Sequence, residues 1–345
     1  MVQFAKMCRS YKEEKLTGMT TVYYSFSDPY TSGNWSTIVK TTRKLDTIDM
    51  EETQKTHLVG DAEIYFSEKT KKFYADCGIP YRRGYLFHGP PGTGKTSFSA
   101  ALAGHLGCDL YLINLASGNM SDGPLQALFL SLPSKCVVVI EDIDSCGIGR
   151  EQDSALATPD FAMSAMNAQG DETPTVPRTR STRKRNMVTL SGLLNAIDGS
   201  ASAEGRLLIL TSNHALALDP ALTRPGRVDL IVPFGKMKEQ SIRDIFKRLV
   251  GRAAIAHLGS TEQQIDEYAT AFSAIVPPDT FTPAQLQGFL QNCRGDPEMA
   301  MRDINAWIQE TIGQAPEIAA DDSVPFIPHY AKVSMANLSQ YSPLS

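Results

Sequence analysis

Residues 89–96 read "GPPGTGKT", directly after the apolar run "GYLFH" (84–88) and before a stretch with Phe98, Leu102 and Leu106 at four-residue spacing. The pattern G-x-x-x-x-G-K-[ST] between a strand and a helix is the signature of a phosphate loop. Its glycines let backbone N–H groups turn inward around a phosphate. Lys95 brings a mobile positive charge to the β- and γ-phosphates, and the Thr96 hydroxyl suits Mg²⁺. Gly89, Pro90, Pro91, Gly92, Thr93, Gly94, Lys95 and Thr96 are therefore candidate cofactor-binding residues, with ATP and Mg²⁺ the expected ligands.

The rhythm around this loop extends the argument. "DLYLINL" (109–115), "CVVVI" (136–140), "RLLILTS" (206–212) and "VDLIVPF" (228–234) join "GYLFH" as short apolar strands, with helical stretches at 124–132 and 188–197 between them. Strands alternating with helices predict an α/β fold with a parallel five-stranded sheet covered on both faces. From 237 to 312 the pattern is helical throughout, and Thr282-Pro283 and Asp296-Pro297 each place a capping side chain before a proline at the first helical position. A small N-terminal α+β module is expected over 1–77, with strands at 20–26 and 36–50, a helical 51–77, and a short amphipathic start. The expected organisation is this module, an α/β nucleotide-binding domain over 78–236, a helical lid domain over 237–312 and an irregular tail over 313–345. Residues 147–187 are polar, contain proline and lack any period, and are expected to be a disordered insertion. Its run "RTRSTRKR" reads as a solvated charge run, with a nuclear signal or phosphate contact as the alternative.

The strand "CVVVI" ends in Glu141 and Asp142. In phosphate-loop ATPases one acid here holds Mg²⁺ through water and the next polarises the attacking water. Asp144 sets the register, which gives Glu141 the metal position, together with Thr96, and Asp142 the water-polarising one. Asn213, at the tip of "LLILTSN", can orient that water. "LDPALTRPGRVD" (218–229) carries Arg224 and Arg227 around a Pro-Gly turn, which predicts both side chains at the surface, where an arginine can reach a neighbour's γ-phosphate, with two surface ion pairs as the alternative.

Composition narrows the function classes. The chain is 42% hydrophobic and 21% charged, with a net charge of −5, so no general basic field draws in nucleic acid. None of the six cysteines forms a C-x-x-C pair, which reads as reduced structural thiols. Histidine spacing offers no zinc site. No apolar run reaches the roughly 18 residues needed to cross a bilayer.

Taken together, "CGIPYRRGYLFHGPPGTGKTSF", "IEDID", "LSGLLNAIDG" and "LTRPGRVDL" resemble the mitochondrial bcs-type AAA ring ATPases, a family that assists respiratory complex III assembly by moving a folded iron–sulphur protein across the inner membrane. The resemblance implies an AAA+ ATPase fold, ATP hydrolysis, and a homo-oligomeric ring, heptameric where known. It also implies a folded protein cargo, and a mitochondrial inner-membrane location reached through an upstream segment that this chain lacks. It assigns Glu141, Asp142, Asn213, Arg224 and Arg227 to catalysis, both arginines acting in trans, and gives the backbone near Gly78 and Ile79 to the adenine. The resemblance also implies that this Glu-Asp order is a feature of the family. After the second strand, "LASGNMSDGPL" (115–125) has no aromatic to grip an extended chain, which agrees with handling of folded cargo. The alternatives are a nucleotide-gated scaffold with little turnover and an AAA ATPase acting on nucleic acid.

Overall fold

The computed structural model describes residues 18–26, 33–115, 120–146, 188–199, 204–214 and 218–314. The insertion at 147–187 with its basic run, the amphipathic start and the tail beyond 314 lie outside the described residues, as does part of the 115–125 stretch.

Among the described residues, seven strands form one sheet. They are β1 (Met19–Phe26), β2 (Asn34–Thr41), β3 (Arg83–His88), β4 (Asp109–Asn114), β5 (Cys136–Glu141), β6 (Leu207–Ser212) and β7 (Leu230–Pro233), in the order β2-β1-β4-β5-β6-β3-β7. The five expected parallel strands are all present, but the sheet has seven strands rather than five. β1 pairs in parallel with β4, Val22 opposite Leu110, and β2 returns antiparallel to β1. The open edge of β4 has unpaired N–H and C=O groups, and β1 satisfies them. Aromatic packing seals the join: Tyr23 stacks on Tyr111 at 4.5 Å, and Trp35 meets the same ring edge-on at 4.9 Å. The expected strand over 36–50 ends at Thr41, and a short 3-10 turn at Leu45–Thr47 follows.

The helical region 51–77 is two helices, α1 (Glu52–Tyr65) and α2 (Glu68–Cys77). Ser67 breaks it by capping α2, its hydroxyl accepting from the Thr70 N–H. Helix α3 (Lys95–His105) follows the phosphate loop, with α4 (Asp122–Leu130) and α5 (Leu190–Asp198) later in the chain. Residues 136–140 are buried without exception, as a central strand covered on both faces requires. On one face, Leu125, Leu128 and Phe129 of α4 pack with Leu193 and Ile197 of α5. On the other, Leu58 and Ala62 of α1 pack with Phe98 and Leu102 of α3.

The C-terminal helices are α6 (Glu239–Phe246), α7 (Arg252–Leu258), α8 (Glu262–Ile275), α9 (Pro283–Asn292) and α10 (Pro297–Gln314). A π-helical turn, Lys247–Gly251, joins α6 to α7. These helices have their own core, in which Phe246 meets Phe272 at 4.8 Å and Phe281 meets Trp307 at 4.8 Å. The caps appear where the sequence put them. Thr282 and Gln285 form a capping box around Pro283, and the Asp296 carboxylate accepts from the Glu298 and Met299 N–H groups. Among the described residues, no helix is long and apolar enough to cross a membrane.

Candidate nucleotide site

Three neighbouring strands, β5, β6 and β3, end on the same side, so the segments after them converge. Ligands of parallel sheets bind at such carboxyl ends. The segment after β3 is the phosphate loop. Gly89 leaves the strand at φ 135°, and a Cβ there would lie 2.1 Å from the Phe234 carbonyl oxygen. Gly94 caps α3 at φ 96°, a left-handed conformation that lets the loop turn straight into the helix. The loop also touches the helical lid, where the Ala284 N–H of α9 donates to the Gly92 carbonyl at 3.2 Å.

Lys95 is buried, and its ammonium donates to the Gly89 carbonyl (2.6 Å), the Pro90 carbonyl (3.0 Å) and the Asn213 Oδ1 (2.8 Å). Burial pulls its pKa down, and the fields of Asp142 and Asp144 act against that. Asn213 in turn donates from Nδ2 to the Asp142 carboxylate at 3.3 Å. The structure therefore brings Lys95, Asn213 and Asp142 into one chain of contacts. Asp144 holds the Asn213 backbone N–H at 3.1 Å, and the Thr211 hydroxyl accepts from the Asp142 N–H at 3.0 Å. Asp142 sits at φ 45°, in the left-handed region that aspartate tolerates better than most residues.

The Glu141 carboxylate accepts a hydrogen bond from the Thr96 side chain. Burial pushes the Glu141 carboxyl above the usual carboxylate range, the Thr96 bond acts against this, and Asp142 adds to the rise. A hydroxyl and a carboxylate are hard oxygen donors and fit Mg²⁺. No group of three or more His, Cys, Asp or Glu among the described residues could hold a metal. A cation here would thus complete its shell with water and phosphate oxygens, as Mg²⁺ commonly does.

The two arginines are placed differently. Arg224 is exposed. Arg227, expected at the surface beside it, is instead tied down within its own subunit. Its Nε donates to Asp198 at 2.6 Å and its Nη1 to the Ala221 carbonyl at 2.6 Å. The Pro-Gly turn puts Gly226 at φ 90° and folds the Arg227 N–H back to the Arg224 carbonyl at 3.1 Å.

A cavity of about 530 Å³ opens beside Thr93 of the loop, walled by Met50, Gln54 and His57 on one side and by Phe234, Met237 and Ser241 on the other. Gly78 and Ile79 do not line it. Gly78 is the left-handed cap of α2, and Ile79 follows it on the surface. Sequence reasoning also missed Asp144 and Asp198 as holders of Asn213 and Arg227. Their acidic type was the available signal, but their partners lie far along the chain. Of the cysteines, Cys108, Cys136 and Cys293 are buried and free, and burial pushes the Cys136 thiol up to about 12, so it stays a thiol.

Residues 85–236 match the ATPase family associated with various cellular activities (AAA), and residues 239–306 match the mitochondrial chaperone BCS1-like ATPase lid domain. Among curated proteins, the chain is 35% identical over 259 residues to the probable mitochondrial chaperone bcs1 of Schizosaccharomyces pombe, covering 75% of this chain and 49% of that one. It is 32% identical over 306 residues to the probable mitochondrial chaperone BCS1-B of Dictyostelium discoideum, covering 86% and 61%. It is 33% identical over 261 residues to the mitochondrial chaperone BCS1 of Homo sapiens, covering 76% and 54%. The chain thus spans about half the length of the curated relatives it matches. With its phosphate loop, its acidic strand end and the lid seated on Gly92, this chain belongs to the AAA ATPases, in the branch that carries a BCS1-like lid.

Proposed function

We propose that the chain is the ATP-hydrolysing part of a bcs-like AAA ring chaperone or translocase. The observation that carries this reading is the contact chain Lys95–Asn213–Asp142 beside the Thr96–Glu141 pair, all at the ends of three adjacent strands. Backbone N–H groups of 89–96 and Lys95 bind the phosphates. The base lies in the cavity beside Thr93 rather than at Gly78 and Ile79. Thr96 and Glu141 would hold Mg²⁺, which would supply neutralisation of phosphate charge. Asp142 accepts a proton from the attacking water, and Asn213 orients that water from the γ-phosphate side. Lys95 moves from its three protein acceptors onto phosphate oxygens when the site fills. Arg224 reaches the site of the adjacent subunit, a contribution worth about 10³- to 10⁵-fold in rate in related enzymes.

Hydrolysis completed across subunits requires a homo-oligomer, and a seven-membered ring is the expected form. By its likeness to mitochondrial chaperones, the ring handles a folded protein cargo during respiratory complex III assembly at the mitochondrial inner membrane. The membrane contact comes from an upstream segment. The test is phosphate release by the purified oligomer with Mg²⁺, against a Lys95→Ala control. Turnover well above that control is expected. ATP binding by the oligomer with no release above the control would replace this reading with a nucleotide-gated scaffold.

A further inference from the structure

The connector between β2 and α1 leaves the sheet and passes along the lid. At its centre, Asp49 accepts from the guanidinium of Arg248. Both side chains are withdrawn from solvent, Asp49 to 6% exposure and Arg248 to 14%. The pair spans 199 residues of sequence and joins the two bodies that flank the nucleotide site. A buried ion pair seldom adds net stability, because desolvating two charges costs about as much as their attraction returns. A positional role explains it better.

Three further observations point to position. Arg248 sits in the π-helical turn Lys247–Gly251, and such turns inside α-helices recur at functional places. That turn is locked by packing, since a Cβ on Gly251 would lie 2.5 Å from Ile265 Cγ2. Among the described residues the buried Arg248 Nε has no hydrogen-bond partner, so the guanidinium is committed to Asp49 at some cost. Asp49 and its neighbour Met50 form part of the wall of the 530 Å³ cavity, opposite the lid residues Met237 and Ser241. They also line a second cavity of about 440 Å³, whose wall includes Arg248 as well. The pair therefore stands in the partition between the two spaces.

We propose that Asp49 and Arg248 form a latch that positions the lid against the connector, so that the cavity beside Thr93 recognises the nucleoside part of the nucleotide. The inference rests on reading that cavity as the base subsite. The phosphates are held separately, by the loop and α3. Both residues are positioning residues, because neither reaches the phosphate loop. Losing the latch should therefore weaken recognition of the base and leave phosphate binding alone. If the closed arrangement is then populated about one time in ten, the apparent Kd for the nucleotide rises about tenfold.

The experiment compares ATP with inorganic tripolyphosphate, each with Mg²⁺, by calorimetry on the full chain. The variants are Arg248→Met, Asp49→Asn and Arg248→Lys, and melting temperatures establish that each folds. Arg248→Met and Asp49→Asn should each weaken ATP by about tenfold or more and change tripolyphosphate by less than about twofold, with Arg248→Lys recovering part of the loss. Equal weakening of both ligands, or weakening of neither, overturns the latch. Wild-type chain that binds tripolyphosphate and ATP equally well overturns the base subsite itself, a failure separate from that of the latch.

Discussion

Arg227 lies against Asp198, its Nε 2.6 Å from the carboxylate, at the C-terminal end of α5. Three residues earlier, Arg224 is exposed and extends from the same turn. The two arginines that look equivalent in sequence are thus a strut and an exposed arm. The strut holds the turn that presents the arm. Arg224→Ala should therefore lower turnover by at least about 10³-fold. Asp198→Asn should lower it by about 100-fold, the cost of a roughly 1 Å misplacement of a reacting group. The double variant Asp198→Asn with Arg227→Ala should be no slower than Arg227→Ala alone. Phosphate release by assembled oligomer measures all three. Additive losses would mean that Arg227 acts independently of Asp198.

The parked position of Lys95 makes Asn213 a reporter on the site. Asn213→Ala removes one of the three acceptors of Lys95 and the donor to Asp142. ATP affinity should stay within about threefold, while turnover falls by about 100-fold, as when a single oriented polar group is lost from a catalytic site. Calorimetry and single-turnover kinetics separate the two effects. A large loss of affinity with unchanged turnover would assign Asn213 to binding.

His88 gives the chain a pH dependence. It is buried at the end of β3, its Nε2 has no hydrogen-bond partner among the described residues, and burial, with the nearby charge of Lys95, pulls its pKa below the ordinary 6.5. The unfolded chain takes up this proton more readily than the folded one. Stability from the neutral ring is thus present above pH 6.5 and is lost as pH falls through the depressed folded value. Thermal melts of wild type should show a falling Tm on acidification through this window, and His88→Leu should flatten that part of the profile. An unchanged slope in the variant would place the titration elsewhere.

The join between the hairpin and the sheet should be a stability site. Trp35 packs edge-on against Tyr111 and donates to the Ser131 Oγ at 2.8 Å. Trp35→Ala should cost about 3 kcal/mol, the lower end for truncating a packed large aromatic, since Trp35 is only half-buried. Trp35→Phe should recover most of it, because the ring contact survives without the hydrogen bond. Denaturant unfolding reads both. A negligible loss in the alanine variant would mean that the hairpin is held by β1–β4 pairing alone.

Much of the α/β body was legible from local chemistry. A glycine-rich loop with Lys95 and Thr96 can do little else between a strand and a helix, and "CVVVI" can only be a strand buried on both faces. Thr282-Pro283 and Asp296-Pro297 announced their helices because a cap and its partners lie within three residues. The hairpin was legible as strands but not as part of the main sheet. Its pairing with β4 depends on which edge is open, and that follows from the order of all the strands.

Short-range pattern alone set the phosphate loop, the parallel α/β body, the helical lid and the order of the acids at the end of β5. That Arg227 is tied to Asp198, that the cavity lies beside Thr93, and that Asp49 meets Arg248 follow only from the folded arrangement. These pairings join residues 29 and 199 positions apart. Local periodicity reaches a few residues along the chain, whereas the meeting of distant charges is set by strand order and by where the lid comes to rest.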